Sequence, residues 1–226
     1  DNKRDCVGHF TNNTIVPGAT LPSFGATWEH SPHLRGQRYE VGRIYGHGET
    51  LTGVCPAELK KDWDGIKKTL RGCLKAFKTS GVSLEENGFY DLVPEYFLFR
   101  YLNMKNKITQ HVLDSYPRPQ NYDFMYDLIA LLADIRTIPL NIDIGPIQHL
   151  LSSVRGQNFQ RSLRSVKHVC DYNPWGTITG RLATTPNTFP ILTMNKEFRA
   201  CVKPRNDWLL ELDFNAAELR VLLALA

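Results

Sequence analysis

The 226-residue sequence lacks a hydrophobic run long enough to cross a bilayer. A transmembrane helix needs about 20 consecutive apolar residues, and the most apolar stretch, residues 221–226, falls far short of that. The sequence also lacks a basic region followed by an apolar region at its start, so it shows no signal peptide. It begins with Asp1 instead of Met, from which we expect that an N-terminal part is missing or was removed. We expect a soluble protein.

Cysteine is scarce and unpatterned. The five cysteines are an odd number, and no two of them form a CxxC pair, so the sequence indicates neither a zinc ribbon nor a disulfide framework. Reduced thiols in a cytosol-like compartment fit this usage best. We therefore expect a cytoplasmic protein, in the host cytoplasm if the chain is encoded by a phage.

The composition is that of a globular protein, and its charge is unevenly placed. Hydrophobic residues make up 42% and charged residues 22%, which argues against a disordered or coiled-coil chain. Residues 151–205 contain nine basic and two acidic side chains, whereas residues 206–226 contain four acidic and one basic side chain. A basic segment is more often a solvated face than a nucleic-acid site. Followed directly by carboxylates, however, it suggests polyanion binding beside a metal site.

The apolar spacing predicts a mainly helical N-terminal half and an α/β (α+β) fold class overall. Residues 1–56 indicate loops and short strands, and residues 208–214 alternate as in a strand. We expect Phe124, Leu128, Leu131, Leu132 and Ile135 on the buried side of one of the helices. Helices are predicted over residues 56–78, 93–116, 123–137, 146–154, 158–167 and, as a buried helix, 216–226.

The chemically informative segment is residues 209–220. A strand followed by a helix would project Asp213 into a crevice, with Glu218 on the first turns of the helix. Carboxylates presented in this way are common oxygen ligands for Mg²⁺. The other interpretation is that Asp213 caps the helix that follows, and the spacing alone leaves both open.

Residues 213–220 read Asp-Phe-Asn-Ala-Ala-Glu-Leu-Arg. This segment resembles motif A of family A DNA polymerases, which reads Asp-Tyr-Ser-Gln-Ile-Glu-Leu-Arg. Upstream, Thr179-Gly-Arg-Leu followed by Pro186-Asn resembles the segment of that family that touches the primer–template minor groove, and Arg199 lies where the family has an Arg before motif A. Residues 138–144 resemble the segment that precedes the thumb. Only about 35 residues separate Ile144 from Thr179, which is much shorter than the usual thumb of this family. This short thumb and residues 116–123 are more similar to phage replication polymerases than to bacterial repair enzymes.

The resemblance implies a role for each matching residue. Asp213 would be the catalytic ligand of two Mg²⁺ ions, helped by the backbone carbonyl of Phe214. Glu218 would lie where a ribose 2′-hydroxyl would go and so favour deoxynucleotides, although a helix-surface Glu paired with a nearby base is the alternative. Arg220 would anchor the palm. Contacts to DNA would come from Thr179, Arg181, Asn187, Lys196, Arg199 and Lys203.

The resemblance also implies an architecture and its missing parts. We expect an irregular region over residues 1–56, a helical region over 57–145, a reduced thumb over 146–170 and the first part of a right-hand palm over 171–226. Family A catalysis also needs a fingers helix and a second palm Asp, which the sequence does not contain. We therefore expect the N-terminal part of a split or fragmentary polymerase that works with a second polypeptide on primer–template DNA and dNTPs. The alternatives are a non-catalytic duplex-binding subunit or remnant and, disfavoured by Glu218, a fragment of a single-subunit RNA polymerase.

Overall fold

A computed structural model describes residues 8–11, 14–17, 26–30, 34, 36–84 and 86–225. Seven α-helices lie in this part of the chain, and they confirm the mainly helical character of the N-terminal half. Their bounds are α1 Gly42–Tyr45, α2 Ala57–Thr79, α3 Phe89–Leu92, α4 Glu95–Ser115, α5 Tyr122–Thr137, α6 Val154–Ser165 and α7 Ala217–Leu225.

The strands are short and pair two by two. Strand β1 (Gly8–Thr11) pairs antiparallel with β2 (Thr14–Pro17), and β3 (Ala26–Thr27) pairs parallel with β4 (Glu40–Val41). The pairs β5 (Asn141–Ile142) with β8 (Val202–Lys203) and β6 (Tyr172–Asn173) with β7 (Ala183–Thr184) are both antiparallel. The fold is therefore mixed α and β, as the sequence predicts.

The larger core lies in the N-terminal half. Helix α4 packs against α1, α2 and β3, and its residues Ile108 and Val112 are fully buried. The other buried members of this core are Trp28, Tyr39, Val41, Ile44, Tyr45, Val54, Trp63, Ile66, Val93, Phe97, Leu98, Met104 and Tyr122. Apolar residues at helical spacing on α2 and α4 thus form a common interior.

A second, smaller core lies between residues 147 and 201. Its buried members are Ile147, Leu163, Phe189, Met194, Phe198 and Cys201. The rings of Phe159 and Phe198 stack with centroids 4.4 Å apart, which joins α6 to the 3₁₀ helix Lys196–Cys201. This core therefore includes residues from both the predicted thumb and the predicted palm segment.

The predicted helix over residues 146–154 is wrong in type and length. A 3₁₀ helix, Gly145–Leu150, lies there instead, and α6 starts at Val154. The Ser153 hydroxyl caps α6 by accepting a hydrogen bond from the backbone N–H of Gly156 at 3.0 Å. A Cβ on Gly156 would lie 2.1 Å from the backbone oxygen of Leu150, so the close approach of these two turns requires glycine.

Two burial predictions are also wrong. On α5, Phe124 and Leu131 are exposed, at 68% and 56%, whereas Leu132 is buried as predicted. Helix α7 forms where a helix is predicted, but none of its described residues is buried. The buried side of α5 consists of Tyr122, Leu132 and Ala133, and Phe124 and Leu131 lie outside it. In α7 no described element covers the large apolar side chains, which are exposed.

Residues 208–214 do not form the predicted strand. Their side chains are exposed, among them Trp208 at 85% and Leu212 at 84%. A strand is stabilised by hydrogen bonds to a neighbouring strand, and no described strand pairs with this segment. The alternating pattern is therefore present without the pairing that would make it a strand.

None of the described helices is long and apolar enough to cross a membrane.

Candidate functional site

Strands β6 and β7 form a hairpin whose loop contains residues 179–182, Thr-Gly-Arg-Leu, which we name the TGRL segment. Tyr172 pairs with Thr184 and Asn173 with Ala183, so the two strands enclose residues 174–182. Thr179 and Arg181 are exposed in this loop, and the side chain of Arg181 is 77% accessible. The structure thus places these two predicted DNA contacts in the loop at the end of a hairpin.

Polar side chains within the loop hold its shape. The Thr177 hydroxyl donates to the backbone oxygen of Arg181 at 2.8 Å, and the Asn173 side-chain oxygen accepts from the backbone N–H of Trp175 at 3.0 Å. Gly180 has a φ of +74°, a conformation that glycine adopts without steric cost. Asn173 and Thr177 are therefore turn-forming residues.

Trp175 fixes the base of the hairpin against the N-terminal half. A Cβ on Gly48 would lie 2.2 Å from Cγ of Trp175, so the indole ring packs directly on the Gly48 backbone. Tyr172 and Trp175 also line a cavity together with His30 on one side and Arg136 of α5 on another. Sequence reasoning missed Trp175, and the glycine-rich turn around Gly48 was the available signal.

Asn187 lies in the turn that leads to the second core. Its φ is 64°, in the left-handed region where Asn is several-fold enriched. The backbone oxygen of Asn187 accepts from the N–H of Lys167 at 2.9 Å, and Phe189, two residues later, is fully buried. The backbone of Asn187 therefore stabilises this turn, and Asn187 is exposed to solvent.

The other predicted phosphate contacts are three cations that are close in sequence and lie on two different elements. Lys196 and Arg199 are exposed on the 3₁₀ helix Lys196–Cys201. Lys203 is partly buried on β8, opposite Asn141 of β5. Two of these three cations are thus open to a polyanion.

Asp213 and Phe214 end the exposed segment that precedes α7. The first helical residue is Ala217, so the cap position is Ala216, three residues beyond Asp213. The interpretation of Asp213 as a helix cap is therefore wrong. Both the Asp213 carboxylate and the Phe214 carbonyl are oxygen donors of the kind that Mg²⁺ prefers. These two groups are suitable ligands for Mg²⁺ by type, but they are too few to form a complete site. No group of three His, Cys, Asp or Glu side chains suited to a metal occurs among the described residues.

Glu218 contacts the TGRL loop. Its Oε1 lies 3.5 Å from Nη2 of Arg181, 37 residues earlier in the chain. Both side chains are largely exposed, at 83% and 77%, so the ion pair is solvated and weak. Glu218 is thus a helix-surface Glu paired with a nearby base, which was the alternative that the sequence left open. The pairing also brings together the candidate nucleotide contact and the candidate minor-groove contact.

Arg220 stabilises the turn at the start of α7. Its Nε donates to the backbone oxygen of Asn215 at 2.9 Å, and its backbone N–H donates to the oxygen of Ala216 at 3.0 Å. Ala216 has a φ of 53°, which is uncommon for a residue with a Cβ. Arg220 therefore acts on the backbone of its own segment.

Cysteine chemistry does not contribute to the site. Cys55, Cys73, Cys170 and Cys201 are free thiols. Burial raises the pKa of the Cys170 and Cys201 thiols, so both stay protonated and unreactive near neutral pH. Cys6 lies outside the described residues.

Comparison with known proteins adds no relative: no family model, no curated protein and no solved structure matches the chain. The resemblance to family A polymerases therefore depends on the motif residues themselves.

Proposed function

We propose that the chain takes part in template-directed DNA synthesis from dNTPs, as the N-terminal part or a subunit of a split or fragmentary family A DNA polymerase. The observation that carries the proposal is the contact between Arg181 and Glu218 at 3.5 Å. These residues belong to two separate motifs of the resemblance, and in a polymerase both would face the primer end and the incoming nucleotide. Their proximity is what that arrangement requires.

The exposure of the motif residues also supports the proposal. Asp213, Glu218 and Arg181 are all open to solvent, so a polymeric substrate can reach them. Arg181 at the hairpin end would contact the minor groove of the primer–template, where the acceptor atoms are similar in all base pairs. Lys196 and Arg199 would contact the phosphate backbone, with Thr179, Asn187 and Lys203 completing the DNA-facing set.

The proposed catalytic group of this chain is the carboxylate of Asp213. It would bind Mg²⁺ with the Phe214 carbonyl, and the ions would neutralise charge during phosphoryl transfer. Glu218 would occupy the space of a ribose 2′-hydroxyl and so select deoxynucleotides. The fingers helix and the second palm carboxylate would come from outside these 226 residues, on a companion polypeptide or another part of a longer chain. The finer architecture, a reduced thumb leading into a right-hand palm, belongs to the same proposal.

Asp213→Asn in the assembled polymerase, the complex or longer chain that contains these residues, tests the proposal. We expect it to abolish primer extension with dNTPs and to leave duplex affinity unchanged or slightly higher, because a repulsive charge is removed. Asp207→Asn is the matched control, since Asp207 is an exposed acid six residues upstream and outside the motif. Native mass spectrometry of the purified protein identifies any companion polypeptide beforehand.

The second candidate is a non-catalytic duplex-binding subunit or remnant. The exposed Arg181, Lys196 and Arg199 favour it, because they would bind phosphates whether or not chemistry follows. Full primer extension by the Asp213→Asn protein would contradict the catalytic proposal. Retained duplex binding with no extension by the wild-type assembly would favour this second candidate.

A further inference from the structure

A basic surface on helix α2 lies outside the segment proposed to bind the primer. Helix α2 spans 23 residues, and after Asp64 it contains five cations and no acid. At 100° per residue, six of its cations fall within an arc of about 100° around the helix axis. We name this arc the α2 basic face, which consists of Lys60, Lys67, Lys68, Arg71, Lys75 and Lys78.

The other face of α2 fixes the orientation of these side chains. Trp63 and Ile66 are buried in the larger core. At 100° per residue, Ile66 lies about 150° and Trp63 about 90° from the middle of the α2 basic face. Five of the six cations are exposed, and the sixth, Lys67, is partly buried. The helix therefore presents its cations to solvent as a consequence of how it packs.

Asp64 is the one acid within the arc, and it reports on the cations around it. Its carboxylate lies 2.9 Å from Nζ of Lys67. The hydrogen bond from Lys67 lowers the pKa of Asp64, and the charges of Lys67, Lys60 and Arg71 lower it further. A positive potential thus extends over at least two turns of the helix.

The composition of the α2 basic face distinguishes between the polyanions that it could bind. Apart from the cations, the arc contains only Ala57 and Asp64. A protein interface is expected to contain aromatic anchors, and a membrane-surface helix is expected to bury its apolar face in lipid. Here the arc has no aromatic residue, and the apolar face is already packed in the core. Lysine, which supplies five of the six cations, contacts phosphates as a point charge and does not read bases in the bidentate way of arginine.

We propose that the α2 basic face binds the phosphate backbone of duplex DNA without reading its sequence. From Lys60 to Lys78 the helix rises about 27 Å, which corresponds to about 8 base pairs at 3.4 Å each. Such a surface would hold DNA independently of Asp213, so the proposal does not depend on the catalytic role of the C-terminal segment.

Binding of a labelled 20-base-pair duplex to the full chain, measured by fluorescence anisotropy at several salt concentrations, tests the proposal. The variant is Lys68→Gln with Lys75→Gln, which removes two exposed charges two helical turns apart and keeps the helix propensity. We expect weaker binding to duplexes of any sequence and a salt-dependence slope smaller in magnitude by about 2. Asp64→Asn should have the opposite effect and tighten binding.

Arg100→Gln with Lys107→Gln is the matched control. These two residues are exposed on α4, have the same seven-residue spacing and change the net charge by the same amount. Equal affinities and slopes for the two double variants would overturn the proposal and show a merely solvated face. Binding of wild-type protein to anionic vesicles but not to duplex would overturn it in favour of a membrane. Thermal unfolding of each variant confirms that the fold is retained.

Discussion

Helices α4 and α7 both contain several large apolar side chains, and these side chains have opposite environments. In α4, Ile108 and Val112 are completely buried, whereas in α7 Leu222 is 64% exposed and Leu223 is 78% exposed. The sequence pattern determines which face of a helix is apolar, but burial needs a second element to cover that face. The N-terminal half supplies such elements to itself, and the described residues supply none to α7.

The same comparison explains why α7 is helical while residues 208–214 are not a strand. A helix satisfies its backbone hydrogen bonds within its own segment, and the alanines and leucines of α7 are strong helix formers. A strand needs the N–H and C=O groups of a neighbour. Without a paired neighbour, the helix forms and the strand does not.

The largest expected effect comes from truncating one leucine to alanine in each of the helices α4 and α7. Leu98→Ala in α4 removes a side chain that is 5% exposed, and we expect the free energy of unfolding to fall by about 2–5 kcal/mol. Leu222→Ala in α7 should change it by less than about 0.5 kcal/mol. Urea unfolding of the two variants measures both values.

A large cost for Leu222→Ala in the chain by itself would contradict the exposed placement of α7. A cost that arises only in the proposed polymerase assembly would sharpen the comparison, because it would show that α7 is covered there. In that case Leu222→Ala should also weaken association with the proposed companion polypeptide.

The sequence predicted local structure better than contacts. The spacing of Leu59, Trp63 and Ile66 was sufficient to place α2, because amphipathic periodicity is a local property. The exposure of Phe124 was not predictable, since it depends on which elements pack against α5. The Arg181–Glu218 contact joins residues 37 positions apart, and only the motif resemblance related the two before the structure did.

The next largest effect concerns the packing contact between the β6–β7 hairpin and the N-terminal half. Gly48→Ala places a Cβ 2.2 Å from Trp175 at a φ of +84°, so we expect a loss of about 1–3 kcal/mol of stability. Gly65→Ala is the matched control, since nothing lies within 4 Å of a Cβ at that helical position, and it should stabilise the protein by about 0.5–1 kcal/mol. Chemical unfolding followed by tryptophan fluorescence measures both. Equal effects would mean that Trp175 does not rest on Gly48.

A smaller effect should appear as a pH dependence within the N-terminal half. Lys105 of α4 is partly buried with its Nζ 5.5 Å from the centre of the Tyr101 ring, and desolvation lowers its pKa. Between the lowered pKa and about 10.4, the unfolded chain binds more protons than the folded one, so stability rises with pH. The stability of wild type relative to Lys105→Met should therefore increase as the pH approaches 10. A flat difference between the two proteins from pH 7 to 10 would contradict the desolvation of this ammonium group.

The smallest expected effect is the coupling between the β6–β7 hairpin and α7 through Arg181 and Glu218. Because the pair is exposed and 3.5 Å apart, a double-mutant cycle with Arg181→Gln and Glu218→Gln should give a coupling free energy below about 1 kcal/mol. The coupling should vanish in 1 M salt, where the screening length is about 3 Å. A weak ion pair leaves both side chains available for the proposed contacts to DNA and nucleotide, whereas a coupling well above 1 kcal/mol would mean that they hold α7 on the hairpin. Thermal unfolding of the four proteins at low and high salt separates these outcomes.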